Sequence, residues 1–551
     1  MRTVFIPIGL ILLAVAASVQ SQVTFRCDLG PLMEQQQFSP QQGHRIYVRG
    51  SFNDWQGTAC ELTGSSGGTV YTGSFDLGGH SGDTVTYKFV IRKDADRFFW
   101  EGRPDPDNPD HGNRRLVLTG APQEVPVARF RPGPYFIYPV IFPGEELEED
   151  FQQFRSILEG THPALYDYTE KAVLDSLFDL HYAAIHEGMD FNSFLINMTE
   201  VISRVGCGHS SLWIPAEYWN VAPSGLFPLE LKPSGEKYLV SGSFGGSSGI
   251  PRGSELISVN GESMAVIGSR LESLTSTDGM NRARRKAMVA KHFAVKYAMA
   301  FGFADHFAIQ YLPPGQTEPV EGTLEPLDKA TIDRGTAHPD ELSLKEINGG
   351  KTALLTINTF AYYDRVGMFR SFIDSVFQVI DEKGTGQLIL DLRGNGGGDP
   401  FCSSYLWGYL QHEPLPYFED HYGRYDTLAN PVPLPPLHFQ GELFTLIDGA
   451  CFSTTGHFCG LLKYHRVGKF VGSETGATFT CTGNATYPAL DHTGIMVGTA
   501  RVMRYTAAVK DMDPLHGILP DYPAEPTPED LAQDRDGVLE YALSLANSSR
   551  R

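Results

Sequence analysis

The spacing of apolar positions changes along this chain, and each change predicts a different kind of element. Between Val23 and Pro126, β-formers cluster or alternate with polar residues, as in Arg45–Arg49, Val70–Phe75 and Thr84–Val90, with Gly, Asn and Asp between the runs. This predicts a β-sandwich over residues 23–126. Pro132-Gly133-Pro134 through Pro143 reads as part of a linker over 127–144. Leu147, Phe151, Phe154 and Leu158 then recur at helical spacing, continued by Val173, Leu174, Leu177, Phe178 and Ala184. A helical subdomain over 145–225 follows from that period.

Two later segments each run strand, turn, helix. Leu388–Leu392 is an apolar strand that breaks into Arg393-Gly394-Asn395-Gly396-Gly397-Gly398, with four glycines in five positions. Glycine carries no Cβ penalty for unusual φ/ψ, so successive backbone amides can converge on a developing negative charge. Asp399-Pro400 closes the turn, not the Gly-Lys-Ser/Thr of a phosphate-binding loop. Leu443–Ile447 repeats the pattern and leads through Asp448-Gly449-Ala450-Cys451-Phe452 to Ser453, where the turn enters a helix. A serine there has two explanations. Its oxygen can cap the helix, or its Oγ can be a nucleophile at the positive end of the helix.

The ordered set Asp391-Leu392-Arg393, Asn395, Gly397-Gly398, then Phe452-Ser453-Thr454, then Gly517-Ile518-Leu519-Pro520-Asp521 resembles the core of the tail-specific, or C-terminal-processing, serine peptidases. The likeness runs from about Tyr138 to Leu545. It implies a crotonase-like α/β catalytic domain over 346–546, with Ser453 as nucleophile and an oxyanion hole from the amides at Gly397 and Thr454. No metal or organic cofactor is required by that chemistry.

The chain departs from the lysine-dyad members of the family. They carry a general-base lysine after the serine helix, in Gly-x-x-x-Phe-Gly-Lys-Gly, where this chain has Gly476-Ala477-Thr478-Phe479-Thr480. Lys463 and Lys469 lie earlier, where lysines are ordinarily solvated. A serine hydroxyl is a poor nucleophile without a positioned base. His209, in Cys207-Gly208-His209-Ser210, resembles the Gly-His-Ser/Thr turn of the tricorn-like branch, which uses a Ser-His-acid arrangement. Base and nucleophile need only meet in space. That branch places its acid near the Gly-x-x-Pro-Asp segment, which nominates Asp511 first and Asp513 second. His457 and His516 are the alternative bases, and Cys451 and Cys207 the alternative nucleophiles.

Two further resemblances concern binding. Gly249–Gly261, with Ile257, Val259, Asn260 and Gly261, resembles the PDZ-like element of the same family and places it in 226–345. Such an element can take an extended peptide as an added strand. In the sandwich, Gly50–Trp55, Tyr87–Val90, Trp100-Glu101 and Asn113-Arg114 resemble the successive motifs of starch- or glycogen-binding modules. That likeness implies stacking of sugar on Trp100 and Trp55, with Lys88, Glu101 and Asn113 beside the hydroxyls. The structural alternative is that both tryptophans are core residues.

Composition narrows the partners. With 44 Lys and Arg against 65 Asp and Glu, the formal charge of -21 argues against binding nucleic acid through a basic face. Arg2, the apolar run from Val4 to Ala17 and the small residues after it read as a signal peptide over 1–22. No later run approaches the length of a membrane span. An odd count of 7 Cys leaves at least one thiol outside any intramolecular disulfide, and the absence of a C-x-x-C pair disfavours zinc. The expectation is a multidomain α/β protein: a secreted or periplasmic serine endopeptidase acting on polypeptide, with polysaccharide as a second partner. The rivals are a noncatalytic glycan- or ligand-binding protein on the same scaffold, and an esterase using the same serine.

Overall fold

The computed structural model describes residues 22–34, 38–65, 67–93, 98–101, 113–130, 142–214, 225–246, 248–336 and 342–548. The signal-peptide-like residues 1–21, and 131–141 of the expected linker, lie outside the described residues. The chain divides into two compact units, Met1–Val140 and Ile141–Arg551. Among the described residues no helix is long and apolar enough to cross a membrane.

In the first unit, nine strands pair into one sheet, seven of them in a continuous path and two, Arg114–Val117 and Ala128–Arg129, pairing off it. Its central run is Phe98–Trp100, Thr84–Arg92, Arg45–Gly50, Glu61–Gly64, Val70–Asp76, Gln22–Asp28 and Gln123–Glu124. Period-two alternation sets the inside: Val23, Phe25 and Cys27 of one strand are fully buried, while the residues between them reach the surface. The Phe25 ring meets Tyr87 edge-on at 4.8 Å between centroids.

The second unit is built around a six-stranded sheet in the order Leu342–Ile347, Thr352–Ile357, Gln387–Asp391, Glu442–Ile447, Lys469–Gly472, Tyr522–Pro523. The first pair is antiparallel and every later pair parallel. Both faces are covered, which is why these strands read as nearly unbroken apolar runs. Leu388 and Leu390 face one core with Phe369, Phe377 and Trp407, while Ile389 faces the other with Val538, Ala542 and Ala546 of the Gly537–Ser548 helix.

Three helices, Gly144–Thr161, Lys171–Ala183 and Phe191–Ile202, occupy the stretch with helical apolar spacing. A second six-stranded sheet contains Leu229–Ser234, Lys237–Ser243, Glu255–Val259, Glu262–Ser263, Phe307–Leu312 and Val320–Leu324. Its core is closed by the Met264–Ser273, Arg282–Lys291 and Phe293–Phe301 helices. A three-stranded sheet joins Ser211–Trp213 to Met496–Thr506 and Thr480–Thr486. All seven cysteines are unpaired thiols.

Candidate active site

The glycine turn and Ser453 meet because they leave the carboxyl ends of two adjacent parallel strands, Gln387–Asp391 and Glu442–Ile447, in register from Gln387 opposite Glu442 to Asp391 opposite Leu446. Loops at the carboxyl ends of a parallel sheet are where such folds place ligands. Ser453 has φ 56° and ψ −124°, a conformation costly for a residue with a Cβ, and its side chain makes no capping hydrogen bond to the Thr454–Tyr464 helix. The capping explanation for this serine is therefore not the one the fold uses. A strained turn that throws Oγ clear of the helix end is the geometry of a strand-to-helix nucleophile.

His209 reaches it from far upstream. Ser211–Trp213 pairs antiparallel with Met496–Thr506, Leu212 opposite Val497, and this fixes the turn just before it. The His209 Nε2 then lies 3.1 Å from Ser453 Oγ. Its ring packs on Phe452 at 4.7 Å between centroids. Gly208 makes this approach feasible, since a Cβ there would come within 2.6 Å of the Phe452 ring. Residue His209 is half-buried, but its Nδ1 is sealed from solvent and has no hydrogen-bond partner among the described residues. Burial first, and then the Arg284 guanidinium, push the imidazole down to about 3. It is neutral at physiological pH, the form a general base requires.

Asn395 holds the glycine turn against the serine. Fully buried, it accepts from Gly397 N–H at 2.9 Å and Thr455 Oγ1–H at 2.7 Å through Oδ1, and donates to the Ile357 carbonyl at 2.9 Å. The amide expected to serve as an oxyanion donor at Gly397 is thus committed to Asn395. Gly397 contributes close approach instead: a Cβ on it would lie 2.8 Å from Ser453 Cβ and 2.6 Å from the Phe452 carbonyl oxygen. The N–H groups of Thr454 and Gly398 have no protein acceptor among the described residues, and Thr454 Oγ1 donates to the Gly398 carbonyl at 2.7 Å, tying the two segments together.

Other nominated residues stand elsewhere. Asp511 is exposed, in the left-handed region at φ 55°, and makes no hydrogen bond to His209. Asp513 accepts from the Leu515 amide and pairs with His516 at 2.8 Å, both residues at the surface. His457 is buried, with Nε2 3.1 Å from the Tyr505 carbonyl oxygen. Lys463 is bound to Asp521 at 2.6 Å and Lys469 is exposed, so neither replaces the missing lysine. The Cys207 and Cys451 thiols are buried and pushed up, which keeps them protonated and poorly nucleophilic.

Asp278 has no counterpart in the motif reading. It lies in the segment between the Met264–Ser273 and Arg282–Lys291 helices, 3% exposed, and accepts from the Gly208 N–H at 2.7 Å. Cys207, His209 and Asp278 each place one donor atom within 4.8 Å of the others, the one such group among the described residues that could hold a cation. Its local signal was only an Asp-Gly step at Asp278-Gly279.

In the first unit the Trp55 and Trp100 rings are half-buried, 6.2 Å apart between centroids, with the Arg49 guanidinium 5.4 Å over Trp100. Glu101 is buried and bound through both oxygens to Arg114 at 2.8 and 2.9 Å, so its carboxylate serves the fold. Lys88 is also buried, and Asn113 is half-buried.

A parallel-sheet turn of glycines set against a strained serine and a neutral histidine defines a serine-hydrolase-like site. Residues 351–524, which hold both the turn and Ser453, match the model of Peptidase family S41, and the chain carries a serine-type peptidase domain there. The chain is also similar in fold to mature CPAF complexed with lactacystin, at 14% identity and TM-score 0.53, over 73% of this chain and 98% of that one. Mature CPAF alone gives 14% identity and TM-score 0.52, over 72% and 96% of the two chains. No curated protein matches the chain.

Proposed function

We propose that this protein is an exported serine endopeptidase in which Ser453 is the nucleophile and His209 the general base. The observation that carries this reading is the 3.1 Å approach of His209 Nε2 to Ser453 Oγ, across 244 positions of sequence. Ser453 Oγ attacks the scissile carbonyl carbon and its proton passes to Nε2. The oxyanion is held by backbone N–H groups of Thr454 and Gly398 at the positive end of the Thr454–Tyr464 helix. The C–N bond then breaks, with Nε2 returning the proton to the leaving amine. Water, deprotonated by the same nitrogen, hydrolyses the acyl ester and regenerates Ser453.

The apolar leader over 1–22 supports export to a periplasm or the outside. The Leu229–Leu324 sheet region supports a PDZ-like role in guiding a polypeptide by strand addition. The paired Trp55 and Trp100 rings support glycan binding by the first unit. The noncatalytic alternative leaves the strained φ of Ser453 without a purpose. Hydrolysis of an unstructured protein substrate tests the reading: the wild type cleaves and His209→Ala, folded to the same circular dichroism, loses most turnover. Undiminished turnover in that variant moves the base elsewhere.

A further inference from the structure

The acid that orients His209 is absent from the segment where motif reasoning puts it, while a buried carboxylate lies beside the imidazole from another direction. Two atoms near His209 are sealed from solvent without hydrogen-bond partners among the described residues: Nδ1 of His209 itself and Oδ2 of Asp278. A ring nitrogen of His209 and a carboxylate oxygen of Asp278 lie within 4.8 Å of each other. One atom is a donor when protonated and the other an acceptor. His209 Nδ1 and Asp278 Oδ2 make no direct hydrogen bond to each other, and one bridging water would satisfy the orphaned donor and the orphaned acceptor together.

The neighbourhood has the same character. Thr277 Oγ1, adjacent in sequence to Asp278, is also buried without a hydrogen-bond partner among the described residues, as is the hydroxyl of Tyr168, whose side chain lies against Gly206. These groups make the surroundings of the turn and of Asp278 polar. The other oxygen of Asp278 holds the Gly208 N–H at 2.7 Å, so one carboxylate fixes the backbone of the turn while its second oxygen is left for the ring.

We infer that Asp278 is the positioning carboxylate of this peptidase: it fixes His209 as the Nδ1–H tautomer, leaving Nε2 to accept the Ser453 proton, and stabilises the imidazolium that results. The inference rests on His209 being the base. Positive charge already faces the imidazole from Arg284, and the neighbouring His457 and His162 act in the same direction. An imidazolium there needs a compensating anion. Arg284 and Arg504 also face Asp278, favouring its ionised form against the burial that pushes it up to about 6.

Asp278→Asn is the test, because an Asn oxygen can still accept from Gly208 N–H and preserve the turn. Loss of kcat on the order of a hundredfold or more is expected, the effect of a wrong tautomer at this position of a triad. The acid limb of kcat/KM should also move to lower pH, which a purely structural role would not cause. Wild-type kcat with an unmoved limb overturns the inference. His209→Ala, run beside it, separates the two readings: if that variant is inactive while Asp278→Asn is normal, only the role of Asp278 fails. Should Asp278→Asn not fold, nitrogen-15 spectra of histidine-labelled wild type decide the matter. The Nδ1–H tautomer at His209 supports the inference, and the Nε2–H tautomer overturns it.

Discussion

Ser453 Oγ and His209 Nε2 stand 3.1 Å apart, although 244 residues separate them along the chain. What spans that distance is one antiparallel pairing, Ser211–Trp213 on Met496–Thr506, next to a turn anchored by Asp278. Nucleophile and base therefore come from distant segments of the one second unit. The site exists only when those segments are packed together.

Asn395 is the strut between the glycine turn and the serine helix. Asn395→Ala removes the acceptor of Gly397 N–H and Thr455 Oγ1–H and the donor to Ile357. Each buried group left unpaired costs about 1–3 kcal/mol. A loss of roughly 3 kcal/mol or more is expected from denaturant midpoints, with turnover falling as well. An unchanged midpoint would mean the turn is held by something else.

Gly397 is required for space. Gly397→Ala would push a methyl into Ser453 Cβ and the Phe452 carbonyl. Displacement of a nucleophile by about 1 Å lowers turnover on the order of a hundredfold. Steady-state kinetics should show the loss in kcat, with KM little altered.

Stability should fall in mild acid. Burial pushes His209 down to about 3, and His162, His292 and His457 to about 4. Unfolded histidines titrate near 6.5, so from there down to pH 4 the unfolded state binds the extra protons and stability declines. Asp278 opposes this, because its folded value of about 6 exceeds its unfolded one and protonation favours the fold in the same window. Four groups outweigh one. The melting temperature is expected to drop between pH 7 and pH 4, and a constant or rising value would contradict these shifts.

The first unit predicts a separate measurement. Electrophoresis through starch or glycogen should retard the protein, and Trp100→Ala should abolish the retardation. Migration indifferent to polysaccharide would make the Trp55–Trp100 pair a structural feature of its unit.

The elements were legible where local pattern decides them. The runs Arg45–Arg49, Val70–Phe75 and Thr84–Val90 each fall within a strand, and the apolar run at Leu388–Leu390 lies in a central parallel one. Ser453 and His209 were legible from short motifs. The partners of those motifs were not. Asp391 and Arg393 bind each other, and Arg393 also binds Asp536, so that part of the motif secures the chain near the C-terminal helix. Asn395 takes the Gly397 amide, Arg114 takes Glu101, and Asp278 meets Gly208 from 70 positions away. The Asp391–Arg393 and Asn395–Gly397 contacts are local, but Arg393 to Asp536, Asn395 to Thr455 and Asp278 to Gly208 span 143, 60 and 70 positions and depend on the packing of distant segments, which spacing along the chain does not encode.

The central claim is most directly tested by the rate at which a fluorophosphonate probe labels the protein. Wild type should label covalently, Ser453→Ala not at all, and His209→Ala far more slowly while retaining its fold. Labelling of Ser453→Ala, or unaltered labelling of His209→Ala, would contradict the account.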